Sequence, residues 1–303
     1  MIDTEGLTPH LQAQVVALAA AARVVDGVEA LDDQVRLDLQ RAVGGAAHHL
    51  VVTSPDGDHV VGYAHIDLRS DGVSTGHVVV HPQKRSQGIG TSLIAQASDL
   101  DAGRSHGFWA HGDLPAASRL ATRVGLRRDR ELRQMRLELR QTLSWPAYPA
   151  DVVVRTFEPG RDDAAWVQLN AAAFRDHPEQ GRLQLDDLHQ RMAQPWFDPL
   201  GFFVVERGAE LVGFHWTKVH RNATSGGAAV GEVYVLGVSP QAQGLGLGKA
   251  LTLTGLHHLR ELGVDAVILY VDADNAAAIA VYERLGFSVS AVDVVYAQAP
   301  GNS

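Results

Sequence analysis

The heptapeptide QGLGLGK (residues 243–249) packs three glycines and a lysine directly behind a strand-like run. A nucleotide P-loop would need glycine at 243 and Ser or Thr at 250, where Gln243 and Ala250 stand. A dinucleotide fingerprint starting at Gly244 would need glycine at 249, where Lys249 stands. The spacing that fits is Q/R-x-x-G-x-G, carried by Gln243, Gly246 and Gly248. Glycines let the backbone approach a ligand closely, and the free amides at a following helix start favour a pyrophosphate.

The loop occurs twice. VVVHPQKRSQGIGTSL (78–93) aligns without a gap on LGVSPQAQGLGLGKAL (236–251), pairing Pro82 with Pro240, Gly88 with Gly246 and Gly90 with Gly248. VGYAH (61–65) likewise resembles VGFHW (212–216), and RVGL (123–126) resembles RLGF (284–287). The proline-containing stretch 141–151 reads as a connection. The expected organisation is therefore residues 1–144, a linker at 145–150, and residues 151–303, which suits a chain of 303 residues.

In each half the pattern predicts one or two helices, three strands, the glycine loop, a helix, a strand, a helix and a last strand. In the second half these fall at a helix from Asp162 to Phe174, a helix over 183–193, and strands at 201–207, 210–219 and 231–238. A helix from Leu247 to Leu262, a strand at 266–272, a helix from Asn275 to Leu285 and a strand ending at Tyr296 complete it.

A net charge of -9 without a basic block argues against a nucleic-acid partner, and the absence of cysteine excludes disulfides and a cysteine-bound acyl intermediate. The apolar run 15–25 is broken by Arg23 and preceded by Asp3 and Glu5, so a cytoplasmic protein without a membrane partner is expected. The adjacent pairs His48-His49 and His257-His258 point apart in any regular element and no HExxH occurs, so no metal is expected.

With two such loops in a strand-to-helix context, the chain resembles the GNAT superfamily of acyl-CoA-dependent N-acetyltransferases over nearly all of both halves. The resemblance implies an α/β (α+β) fold of two tandem domains, each a mixed central sheet flanked by helices, and acetyl-CoA as donor. It implies that Leu236, Gly237 and Val238, and in the first half Val78, Val79 and Val80, lie along the pantetheine arm where the strand splays from its neighbour. It implies pyrophosphate contact from Gln243, Gly244, Leu245, Gly246, Leu247, Gly248 and Lys249, and from Arg85, Ser86, Gln87, Gly88, Ile89, Gly90 and Thr91.

Acetyl transfer to an amine needs a proton acceptor for the amine and a proton for the departing thiolate. Tyr282 stands in DADNAAAIAVYERLGF (272–287), where the superfamily often places its general acid, and Asn275 lies two helical turns earlier. Glu232, opening the strand that leads to the loop, is the expected base. Alignment on the loop sets Ser74 opposite Glu232; alignment on the later glycine sets Leu114 opposite Asn275 and Ala121 opposite Tyr282. The first half is thus expected to bind acyl-CoA without catalysing.

Further stretches, among them 26–35, 108–112, 170–181, PWFDP (195–199) and 213–220, resemble the tandem members that acetylate the cysteinyl amine of desacetylmycothiol. That resemblance assigns Asp33, Glu179, Lys218, Glu232 and Tyr270 to the acceptor, and Asn275, Ala276, Ala277, Ala278, Ile279 and Ala280 to further CoA contact. Asp33 stands where those proteins generally carry a longer glutamate. Alone, Asp33, Glu179 and Lys218 also read as solvated charges, and Trp196 and Phe197 as either pocket lining or core. The expected protein is a monomeric acetyltransferase; another amine acceptor, or a non-catalytic acyl-CoA sensor, are the other readings the residues allow.

Overall fold

The computed structural model describes residues 2–40, 47–68, 73–100, 105–140, 142–175, 177, 180–221 and 229–298. The first half runs β1 (Ile2–Thr4), α1 (Pro9–Asp26), α2 (Asp33–Leu39), β2 (Ala47–Thr53), β3 (Val60–Asp67), β4 (Val73–Val80), α3 (Ile89–Asp99), β5 (Ser105–Ala110), α4 (Pro115–Arg123) and β6 (Arg127–Glu138). The second runs β7 (Val153–Thr156), α5 (Asp163–Ala173), α6 (Leu185–Met192), β8 (Phe202–Arg207), β9 (Glu210–His220), β10 (Val230–Val238), α7 (Leu247–Glu261), β11 (Ala266–Asp272), α8 (Ala276–Arg284) and β12 (Ser288–Ala297). The expected elements of the second half all appear, within two residues at each expected end. β1 and β7, three and four residues long, are additions to the expected order; strands that short carry too little alternation to read.

Two compact units result, and they are not continuous in sequence. One takes the chain up to Leu132 together with residues from Ala291 onward; the other takes Arg133–Ser290. A single cut near residue 145 does not describe them, because strand pairing follows hydrogen-bond partners and not chain order. Within the first unit, residues 294–297 of β12 pair antiparallel with β5. Within the second, the stretch after β6 is tied to the start of β11 by Leu139 N–H donating to Asp265 C=O at 2.8 Å.

The first unit orders its strands β1-β2-β3-β4-β5-β12, antiparallel except for the parallel pair β4 and β5. Helices α1 and α2 cover one face through Val15, Leu18, Ala22 and Val35, and α3 covers the other through Leu93 and Ile94. The second unit orders its strands β6-β11-β10-β9-β8-β7, with β10 and β11 parallel. There α5 and α6 pack Trp166, Leu169 and Leu188 on one face against Phe202, Phe214 and Trp216, while α7 packs Leu251, Leu256 and Leu259 on the other. The connection before β7 lies on this unit: Trp145 stacks on His257 at 4.4 Å, and the Tyr148 hydroxyl bonds Thr254. No described helix is long and apolar enough to cross a membrane.

Candidate active site

The site of the second unit is built around a break in one ladder. β10 pairs with β11 only from Val230↔Ala266 to Val233↔Leu269, yet it pairs with β9 as far as Val238↔Gly213. Beyond Val233 the two parallel strands part, so Leu236, Gly237 and Val238 lie on an edge that β11 does not cover. A bulge between Val233 and Val235 marks the point of parting. The first unit repeats the opening: β4 pairs with β5 only to His77↔Trp109 and with β3 on to Val80, leaving Val78, Val79 and Val80 past the split.

At the far end of β10 the glycine loop turns into α7. Gly244 and Gly246 are left-handed, with φ of 80° and 78°, which a side chain would strain. Gly246 is the N-cap and offers no side chain, so the amides of Leu247, Gly248 and Lys249 have no cap to bond. A Cβ at Gly248 would meet nothing within 4 Å, so that residue faces open space. Leu247 is buried and pins the turn, while Gln243, Leu245 and Lys249 are exposed. The cradle has the free amides and the cleared surface that a pyrophosphate requires.

The first loop has the same backbone but a different charge state. Gly88 is left-handed at 82°, and Ser86, aligned with Gly244, takes the same conformation at 62° despite its side chain. Gln87, Ile89, Gly90 and Thr91 complete the turn into α3. Arg85, however, gives both terminal nitrogens to Asp26 at 2.7 Å, and that partner raises its already high pKa.

Side chains collect on the α5/α6 face of β9 and β10. Across the ladder Glu232 pairs with Lys218, and both are buried, at 7% and 5% exposure. Lys218 Nζ sits over the rings of Trp196 at 4.6 Å and Tyr234 at 5.1 Å, a cation held by aromatic faces. The buried Arg191 of α6 donates from Nε to the Tyr234 hydroxyl at 3.2 Å. Beside them His220 Nε2 is 2.5 Å from Glu232 Oε2. On β11, Ile268 pairs with Glu232, so Tyr270, two residues on, shares its face; its hydroxyl accepts from Gln134 at 2.8 Å.

Tyr282 lies in the apolar cluster of the opposite face with Val233 and Val271, and Leu236 of the splayed edge packs against it. Burial pushes its hydroxyl up to about 12, so it carries its proton at neutral pH. Asn275 caps α8, its side chain accepting from Ala278 N–H at 3.1 Å, and Ala276, Ala277, Ala278, Ile279 and Ala280 form the first turn and a half behind it.

Glu232, Lys218 and Tyr270 thus share a face, while Tyr282 lies in the apolar cluster of the opposite face, against which Leu236 packs. Asp33 opens α2 in the other unit, and Glu179 lies outside the described residues. Trp196 and Phe197 both pack against the aromatic core at Trp216, and Trp196 also carries the Lys218 ammonium on its ring face. Sequence reasoning missed His220, Tyr234 and Arg191. Alternation could have found His220, two residues after Lys218; the bulge and the α6 contact have no local signal. The two histidine pairs do point apart: His49 bonds the Tyr63 hydroxyl and His257 the Ser144 carbonyl.

The registers also change one comparison between the halves. Gly213↔Val238 matches Gly62↔Val80, and five residues on, Lys218↔Glu232 matches Asp67↔Thr75. β10 has a bulge in this stretch and β4 has none, so the counterpart of Glu232 is Thr75. Ser74 points to the other face, where it bonds His106. Neither residue is a base.

Residues 165–287 match the Acetyltransferase (GNAT) family and residues 46–125 an Acetyltransferase (GNAT) domain. A GCN5-related N-acetyltransferase from Sphaerobacter thermophilus superposes with a TM-score of 0.70 at 25% identity, covering 99% of this chain and 96% of its own. A tandem GNAT protein from the clavulanic acid biosynthesis pathway reaches the same TM-score at 21% identity, covering 96% of each chain. Fold and site together define an acetyl-CoA-dependent N-acetyltransferase of tandem GNAT architecture. Mycothiol acetyltransferases from Thermobispora bispora and Streptomyces coelicolor are 51% and 49% identical, covering 95% and 96% of this chain and 96% and 92% of their own. The chain belongs to the mycothiol acetyltransferase family.

Proposed function

We propose that the chain moves the acetyl group of acetyl-CoA to the cysteinyl amine of desacetylmycothiol, giving mycothiol, and that the second unit does the chemistry. The observation that carries this reading is the parting of β10 from β11 after Val233, with a buried carboxylate before it, a buried tyrosine beside it and an open glycine cradle beyond it.

The loop from Gln243 to Lys249 holds the pyrophosphate on its amides, and the pantetheine amides bond the edge Leu236–Gly237–Val238, which β11 leaves bare. Asn275 to Ala280 flank the same donor. The amine enters from the face of Lys218, Glu232 and Tyr270, whose donors and acceptors suit a hydroxyl-rich sugar and an ammonium. Its nitrogen attacks the thioester carbonyl; the N–C bond forms as the nitrogen's proton passes to Glu232. The C–S bond then breaks, and the Tyr282 hydroxyl gives its proton to the sulfur.

The first unit binds CoA through the loop Arg85–Thr91 and the strand end Val78–Val80 but does not turn it over. It has Thr75 for Glu232, Leu114 for Asn275 and Ala121 for Tyr282.

Initial rates with acetyl-CoA over desacetylmycothiol and a panel of other amines, including aminoglycosides and peptide N-termini, test the reading. The expected result is kcat/KM highest for desacetylmycothiol by at least about 100-fold, the discrimination a hydrogen-bonding site achieves. Turnover confined to another amine would move the function there; CoA binding with no turnover would leave a sensor.

A further inference from the structure

We infer that His220 is a positioning residue for Glu232, fixing the orientation of the carboxylate and setting its strength as a base; this rests on the assignment of Glu232 as the proton acceptor. His220 lies on β9 two residues beyond Lys218 and therefore shares the face on which Glu232 projects. Its Nε2 is 2.5 Å from Glu232 Oε2, a charge-assisted distance. The Glu232 side chain is 9% exposed and the His220 side chain 30%, so the imidazole is the part of the pair that meets solvent.

With Glu232 ionised, as a base must be, the proton of that bond sits on Nε2 and is donated to Oε2. One carboxylate oxygen is thereby committed, and Oε1 is turned to the amine. A buried carboxylate without such a donor would be left with an unmet acceptor and freedom to rotate. Nδ1 is the nitrogen that can take a second proton from solvent. When it does, the imidazolium beside the carboxylate favours the charged form, and Glu232 becomes a weaker base.

Among the described residues, the other polar groups around the pair are Lys218 on β9, Tyr234 on β10, Tyr270 on β11 and, through Tyr234, Arg191 on α6. His220 is the imidazole in direct contact with the Glu232 carboxylate. The pair therefore predicts an imidazole contribution to the acid limb of activity, distinct from that of the substrate amine.

The experiment compares His220→Ala, His220→Gln, Glu232→Gln and the double variant His220→Ala/Glu232→Gln, with acetyl-CoA and desacetylmycothiol, recording kcat, KM and the pH profile of kcat/KM. His220→Ala should lower kcat about 10- to 100-fold, the size of one lost charged hydrogen bond, with KM for acetyl-CoA unchanged. His220→Gln places an amide nitrogen near Nε2 and should keep kcat within about threefold while losing the imidazole part of the acid limb. The double variant should be no slower than Glu232→Gln alone, since His220 acts through that carboxylate. Wild-type kcat in His220→Ala, equal losses in Ala and Gln, or multiplied losses in the double variant would each overturn the inference. Wild-type turnover in Glu232→Gln would instead remove the base assignment beneath it.

Discussion

Arg85 is bound through both terminal nitrogens to Asp26, each at 2.7 Å, at the start of the first glycine loop. In the second loop Gln243 stands at that position, uncharged and exposed. Freeing Arg85 should therefore strengthen CoA binding in the first unit alone. Asp26→Asn is expected to tighten the weaker of two CoA sites by about three- to tenfold, the worth of one exposed charge contact, and to leave kcat unchanged. Two-site calorimetric titration measures it; an unchanged weaker site would show that Arg85 does not meet the pyrophosphate.

The glycines of the two loops should respond differently to alanine. At Gly248 an added Cβ meets nothing in the protein, so Gly248→Ala should keep thermal stability within about 0.5 kcal/mol while weakening CoA binding by tenfold or more. At Gly90 the same Cβ would come 2.9 Å from Leu120 Cδ2, and Gly90→Ala should show repacking strain of about 1 kcal/mol in denaturation. Unchanged CoA affinity in Gly248→Ala would count against the cradle.

Tyr282→Phe should lower kcat by about 100-fold or more while retaining CoA affinity, because the ring packs as before and only the proton is lost. Burial holds the Tyr282 proton up to about 12, so the alkaline limb of kcat below pH 11 should not belong to it. The same shift has a sign for stability. The unfolded chain loses this proton near pH 10 and the folded one does not, so stability falls as pH climbs from 10 toward 12. Denaturant midpoints at pH 9, 10 and 11 report it, and a flat wild-type curve would contradict it.

His49 and His215, one in each unit, are held down to about 4, mainly by burial. Both stay neutral in the folded protein while the unfolded chain protonates them below about 6.5. Their contribution is complete above pH 6.5 and declines as pH falls toward 4, by about 2 kcal/mol each at pH 5. His215→Gln, which keeps a donor for the Leu251 carbonyl, should flatten part of that decline.

The glycine spacing, its repetition and the strand-to-helix context, with the family resemblance they carry, make the two GNAT domains legible in the sequence, because each is a local pattern. The family resemblance singled out Tyr282, and the strand leading to the loop singled out Glu232; their roles as acid and base are what the Tyr282→Phe and Glu232→Gln variants test. What escaped depends on pairing between distant segments. The bulge at Tyr234 shifts the counterpart of Glu232 from Ser74 to Thr75, and no residue type announces it. The aromatic support of Lys218 comes from Trp196 and Tyr234, brought together only when α6 and the turn after it fold over β9 and β10. The sheet of the first unit ends on residues near the C-terminus, a pairing that chain order hides.

The central claim is that the second unit joins acetyl to the cysteinyl nitrogen of desacetylmycothiol. It is tested most directly by incubating the protein, and separately its Glu232→Gln variant, with carbonyl-labelled acetyl-CoA and desacetylmycothiol, then locating the label by mass spectrometry and NMR. The account predicts label in an amide on the cysteinyl nitrogen with the wild-type protein, and about 100-fold less with the variant. Label on any other atom, no transfer by the wild-type protein, or equal transfer by both would contradict it.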